Sequence, residues 1–143
     1  MTKQRVDNHS TEFGLWLRVQ PEIDSKKEGY VTSNVDYVWS DYRSGKWMLI
    51  EEKRYNSWPK PWQRKTFKLL HDVSQHDPNY KGFHLIIFEQ TSPEDGKMWI
   101  DGRTVTKEDL FEFFRFESKE FMYEINHLDV VSLPKSKDAW YIP

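Results

Sequence analysis

Apolar and aromatic residues along this chain fall into short runs with two different spacings. From Ser10 to Gln20, Leu15, Trp16 and Val19 follow Glu12 at steps of three, four and seven. That spacing predicts a short amphipathic helix with Ser10 as N-cap and Pro21 ending it. Asn34 to Trp39 and Trp47 to Ile50 are rich in β-branched and aromatic residues and read as strands. Gly29 to Thr32 can open a further strand ahead of them. Pro59 and Pro61 introduce a helix from Pro61 to Gln75, proline being suited to a first helical turn. Trp62, Thr66, Leu69 and Val73, with Leu70 beside them, form the stripe expected to face a core. Phe83 to Phe88 is continuous enough for a strand buried on both faces, and the preceding helix suits a parallel crossover. Met98–Ile100 and Arg103–Val105 flank Asp101-Gly102, a strong hairpin turn. Thr106 can cap a helix from Lys107 to about Phe116. Ser118 to Val131 has no single reading, and the segment from Pro134 looks loose.

Charge enters at the end of the second strand, as Ile50-Glu51-Glu52-Lys53, with Asp36 inside the first. Asp41-Tyr42-Arg43-Ser44-Gly45-Lys46 between the strands is a turn signal. With Ser44-Gly45 as a two-residue loop, Arg43 pairs with Lys46, Asp36 lies opposite Lys53, and Val38 lies opposite Glu51. Residues opposite one another, and residues two apart on one strand, share a face. Asp36, Glu51 and Lys53 then cluster. A three-residue loop or a bulge brings Glu52 to that face instead; the Glu-x-Lys spacing favours Glu51.

Two acids beside an ammonium suit a divalent metal next to a phosphate. Magnesium takes oxygen ligands, keeps several waters, and needs only one or two protein carboxylates when phosphate oxygens complete its shell. Such an ion polarises the phosphoryl group and activates water near neutral pH. Lys53 can align the water or neutralise charge developing on the phosphate. Glu12, at the start of its helix stripe, is either an accessory acid or a complement to the helix dipole.

The next segment reverses a slightly acidic background. Lys53, Arg54, Lys60, Arg64, Lys65 and Lys68 occur from Lys53 to Lys68 with no acid among them, interleaved with Tyr55, Trp58, Trp62 and Phe67. Cations contact phosphates and rings stack on bases, so Arg54, Lys60, Arg64, Lys65 and Lys68 are candidates for holding a polyanion. A solvated helix face is the alternative.

The Asp36…Glu51-Glu52-Lys53 pattern resembles the PD-(D/E)xK nuclease superfamily, whose restriction-endonuclease-like fold has an α-β-β-α-β core. The order of elements over about the first ninety residues is similar to that core. The resemblance implies an α/β fold with a mixed sheet and C-terminal additions, formed by one nuclease-like domain over 1–143. It implies metal ligation by Asp36 and Glu51, with the Glu52 carbonyl as a third ligand, catalysis assisted by Lys53, and an accessory role for Glu12. Mg, or Mn, is the implied cofactor, and DNA the implied partner of a nuclease, more an endonuclease than an exonuclease. A binding module on the same fold, without cleavage, is the alternative. Gln63 matches the Gln-x-x-x-Tyr motif of RecB-type members and joins the nucleic-acid-binding set, but Phe67 stands where that motif has Tyr.

Composition narrows the remaining chemistry. The chain has 143 residues, enough for one domain with a core, and seven Trp and nine Phe offset a modest aliphatic content. Absence of cysteine excludes disulfides, thiolate catalysis and Cys-based zinc sites, and is compatible with an expected cytoplasmic location. No apolar run approaches a membrane span, so no membrane partner is expected, while a homodimer is compatible with the sequence. The polar stretch from Met1 to Asn8 does not read as a signal peptide. His9, His71, His76, His84 and His127 form no metal-binding pair at helical spacing, and His84 in an apolar strand reads as a core histidine. There is no Gly-rich phosphate loop and no Gly-x-Ser-x-Gly elbow.

Overall fold

A computed structural model of the chain describes residues 11–23, 29 and 34–119. The expected strand at Gly29–Thr32, the region Ser118–Val131 and the segment from Pro134 lie wholly or largely outside them. The chain divides into two compact units, Met1–Asn34 and Val35–Pro143.

In the first unit, α1 spans Glu12–Arg18, and a single 3-10 turn follows at Pro21–Ile23. The helix is shorter than its spacing suggested. Thr11, rather than Ser10, caps it, because the Thr11 hydroxyl accepts the Gly14 N–H at 3.0 Å. Of its expected apolar stripe, Trp16 and the C-cap Val19 are exposed, and no α1 residue is buried.

The second unit holds a five-stranded mixed sheet in the order β1-β2-β3-β4-β5, with β1 at Tyr37–Ser40, β2 at Trp47–Lys53, β3 at Tyr80–Phe88, β4 at Met98–Ile100 and β5 at Arg103–Thr104. Helix α2, Pro61–Ser74, connects β2 to β3, and these strands are parallel as the buried run at Phe83–Phe88 implied. The other neighbouring pairs are antiparallel. Asp101 and Gly102 both adopt positive φ in the β4–β5 turn. Helix α3, Lys107–Phe114, begins with Thr106 and Asp109 in a reciprocal capping box. The chain is therefore α/β. Among the described residues, no helix is long and apolar enough to cross a membrane.

Alternation along the strands builds a core on each face. Met48, Ile50, Ile86, Phe88 and Ile100 pack with Leu110 and Phe113 on the α3 side. Leu49, Phe83, Leu85 and Ile87 pack with Phe67 on the α2 side. The inward face of α2 differs from the expected stripe. Trp62, Leu69 and Val73 are exposed, while Phe67 and His71 are buried. The reason is that its polar inward positions have partners. His71 Nδ1 lies 2.7 Å from the Tyr80 hydroxyl, and its Nε2 lies 2.8 Å from Gln75 Nε2. The amide nitrogen can only donate, so Nδ1 carries the ring proton in neutral His71.

His84 is a core histidine, as read from its strand. Nδ1 is 2.6 Å from Asp101 Oδ2 and Nε2 is 2.7 Å from the Lys81 carbonyl. Both partners accept, so the ring donates twice. Burial opposes the charge on His84, but the Asp101 carboxylate and the Lys81 carbonyl raise its pKa overall.

Candidate functional site

The β1–β2 hairpin sets the geometry. Tyr37 pairs with Ile50 and Val38 with Leu49. The loop holds four residues, Tyr42 to Gly45, rather than two, closed by Asp41 N–H to the Lys46 carbonyl at 2.8 Å. Asp41 lengthens it: its carboxylate accepts the Arg43 N–H and the Ser44 hydroxyl, both at 2.9 Å. Those bonds also hold the Asp41 carboxyl below its ordinary pKa. Gly45, at φ 80°, supplies the left-handed residue that returns its N–H to the Asp41 carbonyl. The register therefore moves by two positions from the expected one. Extended by one residue past Tyr37, it sets Asp36 opposite Glu51 instead of Lys53. A two-residue shift preserves the face, so the same three side chains remain on one side.

Asp36 bonds to both Glu51 and Glu52 across the end of the ladder. The Asp36 N–H donates to Glu51 Oε1 at 3.3 Å, and Asp36 Oδ2 accepts the Glu52 N–H at 2.8 Å. Lys53 Nζ lies 3.3 Å from Glu51 Oε2 and donates to Gln63 Oε1 at 3.1 Å. Gln63 Oε1 also accepts the Lys60 N–H at 3.0 Å, at the start of α2. The cluster thus sits where the parallel β2 ends and α2 begins, a common place for ligand sites in α/β sheets.

Glu51 is 3 % exposed, although it is an acid. Burial pushes its pKa up and the neighbouring Asp36 charge adds to that; Lys53 pulls the other way, leaving Glu51 at about 8. A carboxyl in such surroundings keeps its proton near neutrality unless further positive charge arrives.

Glu52 points to the other face of the sheet. Its Oε1 accepts the Tyr37 hydroxyl at 3.0 Å and lies 3.5 Å from Arg54 Nη2. Its carboxylate is therefore engaged away from Glu51. Its backbone is placed differently. A strand residue sends N–H and C=O to the same edge, and the Glu52 N–H is bonded by Asp36, so its carbonyl leaves on the β1 edge of β2 as well. Asp36, Glu51 and the Glu52 carbonyl are the oxygens that could hold a hard cation. Among the described residues no group of three or more His, Cys, Asp or Glu side chains could do so. Two carboxylates and a carbonyl fit magnesium, which binds few protein ligands when a substrate phosphate shares it.

The remaining sequence candidates differ in their surroundings. Lys60 and Lys65 are exposed and have no acidic partner among the described residues. Arg64 lies on α2, half-buried, and Lys68 pairs with Asp72 at 3.0 Å. Arg54 is engaged by Glu52 on the opposite face. Glu12 is exposed on α1, in the other unit. Gln63, read from sequence as a contact to nucleic acid, accepts a hydrogen bond from Lys53. Its signal was its position three residues after the helix N-cap, the acceptor site of a capping box.

Comparison with protein-family models, with curated proteins and with solved structures finds no match to this chain.

Proposed function

We propose that this protein is a metal-dependent nuclease of the PD-(D/E)xK type, with a restriction-endonuclease-like core, acting on DNA. The observation that carries this reading is the buried Glu51 set between Asp36 and Lys53 at the carboxyl end of β2. The order helix, hairpin, helix and parallel strand is compatible with that core.

Asp36, Glu51 and the Glu52 carbonyl would hold magnesium or manganese. When bound, that ion would supply charge stabilisation at the phosphate and a more acidic water. Lys53 does its work from a fixed position. Gln63 and Glu51 restrain its ammonium before substrate arrives, so little reorganisation is needed as charge develops on the phosphate. Lys60, Arg64 and Lys65 surround the start of α2, whose first turn carries no acid. A cation at the helix start, as at Lys60, is unfavourable to the helix dipole by about 0.3–1 kcal/mol. A phosphate backbone would relieve that repulsion.

The direct test is incubation with single-stranded, duplex and branched DNA in magnesium, in manganese and in EDTA. Metal-dependent cleavage of at least one form is expected. Binding without cleavage in any of them would replace the enzyme by a binding module on this fold.

Two further outcomes are expected. Gln63→Ala removes the acceptor of both Lys53 and the Lys60 N–H. It should lower the cleavage rate roughly tenfold with little change in KM, as losses of supporting partners do, while Gln63→Glu retains most of the rate. Equal rates for Gln63→Ala and wild type would reduce Gln63 to a helix cap. Replacing Arg64 and Lys65 together with Ala should weaken DNA binding about equally for all sequences and flatten its dependence on salt. An unchanged slope in a salt titration would make that ridge a solvated face.

A further inference from the structure

Immediately after Lys53 the chain makes a turn that its sequence does not announce. Tyr55 and Asn56 are consecutive residues in the left-handed region, at φ 54° and 56°. Asparagine tolerates this conformation, but for a bulky side chain such as tyrosine it is an outlier. Glycine would adopt it without penalty. The turn is nevertheless firmly held. The Tyr55 N–H donates to the Gln90 carbonyl at 3.0 Å and the Asn56 N–H to the Phe88 carbonyl at 3.1 Å, both just beyond or at the end of β3. Ser57 closes it, its N–H and hydroxyl reaching the Arg54 carbonyl at 3.0 and 2.7 Å.

This anchored, strained backbone carries an aromatic ring in the open. Tyr55 is 66 % exposed, whereas Phe67 and Tyr80 are 1 % exposed in the core. Among the described residues its ring makes no stacked or edge contact, so packing does not account for the choice of tyrosine. Its backbone is also close to that of the cluster. Two Cα–Cα steps of about 3.8 Å place the Tyr55 Cα within about 7.6 Å of that of Lys53. The exposed Lys60 lies five residues further on. A strained residue beside a reaction site is a reason to look for function.

Resting on the nuclease reading above, we infer that Tyr55 is a stacking platform for a nucleobase next to the phosphate facing Lys53, and that the substrate is a single-stranded segment of DNA. A base inside a duplex has both faces covered by its neighbours. A ring beside the reacting phosphate can take a base only where the strand is unpaired, as at an end, a flap or a gap. Ring stacking is also indifferent to sequence, because every base has a π-face.

The test is anisotropy in EDTA with the full chain, using a labelled mixed-sequence single strand and a blunt duplex. Tyr55→Ala should weaken single-strand binding on the order of tenfold and leave duplex binding unchanged. Tyr55→Phe should bind like wild type. Tyr55→Gly should lose binding as Ala does while raising Tm by a few degrees, because the strain is relieved. Equal single-strand affinity for wild type and Tyr55→Ala overturns the platform and leaves the nuclease reading standing. An equal loss on strand and duplex also overturns it, since the contact would not select unpaired bases. If wild type binds neither form in EDTA or with calcium and cleaves neither with magnesium, both the platform and the nuclease reading fail.

Discussion

Lys53→Ala is expected to lower metal-dependent DNA cleavage by on the order of a hundredfold or more, with affinity for DNA nearly unchanged. The two effects separate for a physical reason. Lys53 is one cation among several that can meet the backbone, so it contributes a small share of binding. Its side chain is mostly buried, 17 % exposed, and its ammonium is restrained by both Glu51 and Gln63. A charge fixed in this way acts most strongly on charge that appears only in the transition state. Asp36→Ala should also abolish cleavage, but by weakening metal ligation, so raising magnesium or manganese should partly restore it. The same titration should leave Lys53→Ala inactive. Rescue of both variants by metal would show that Lys53 serves only to organise the metal site. Full activity of Lys53→Ala at ordinary magnesium would remove it from the mechanism.

What could be read from the sequence depended on whether a residue's partner was local. The strand at Phe83–Phe88 and the hairpin around Asp101-Gly102 were legible, because a continuous apolar run and an Asp-Gly turn each act within a few residues. The helix capped by Thr106 was legible for the same reason. The hairpin register was not, because loop length was decided by side-chain bonds from Asp41 to Arg43 and Ser44. The placement of Asp36 beside Glu51 survived only because the register moved by an even number of residues. The inward face of α2 was hidden more deeply. Gln63 and His71 look like surface residues until Lys53 and Tyr80 are brought to them by the sheet. Trp62, Leu69 and Val73 supplied a convincing apolar stripe that stays exposed. Hydrophobic periodicity counts apolar positions but does not register polar ones that acquire a partner. The left-handed backbone at Tyr55 had no signal at all, since no glycine marks it.

Glu51→Gln is expected to abolish metal-dependent cleavage and at the same time stabilise the metal-free protein at pH 8. The ordinary carboxyl value for Glu51 is 4.5, and in the folded protein it is raised to about 8 by burial first and then by Asp36. Between those values the native state holds a proton that the unfolded chain has released. Stability contributed by this group therefore falls as pH rises from about 4.5 to about 8 and is lowest above that. Glutamine has the shape of the protonated acid and cannot ionise. It should match wild type near pH 5 and exceed it at pH 8 by on the order of 1–3 kcal/mol, a rise of several degrees in Tm. Metal reverses the order. Manganese or magnesium bound by the folded wild type adds stability by mass action, and Glu51→Gln, with a weakened ligand set, should gain much less. Thermal melts at pH 5 and pH 8, each with and without metal, read all four quantities together. A lower Tm for Glu51→Gln than for wild type in EDTA at pH 8 would mean that Glu51 is ionised and fully compensated by Lys53. The two carboxylates would then stabilise the ladder end without a cation.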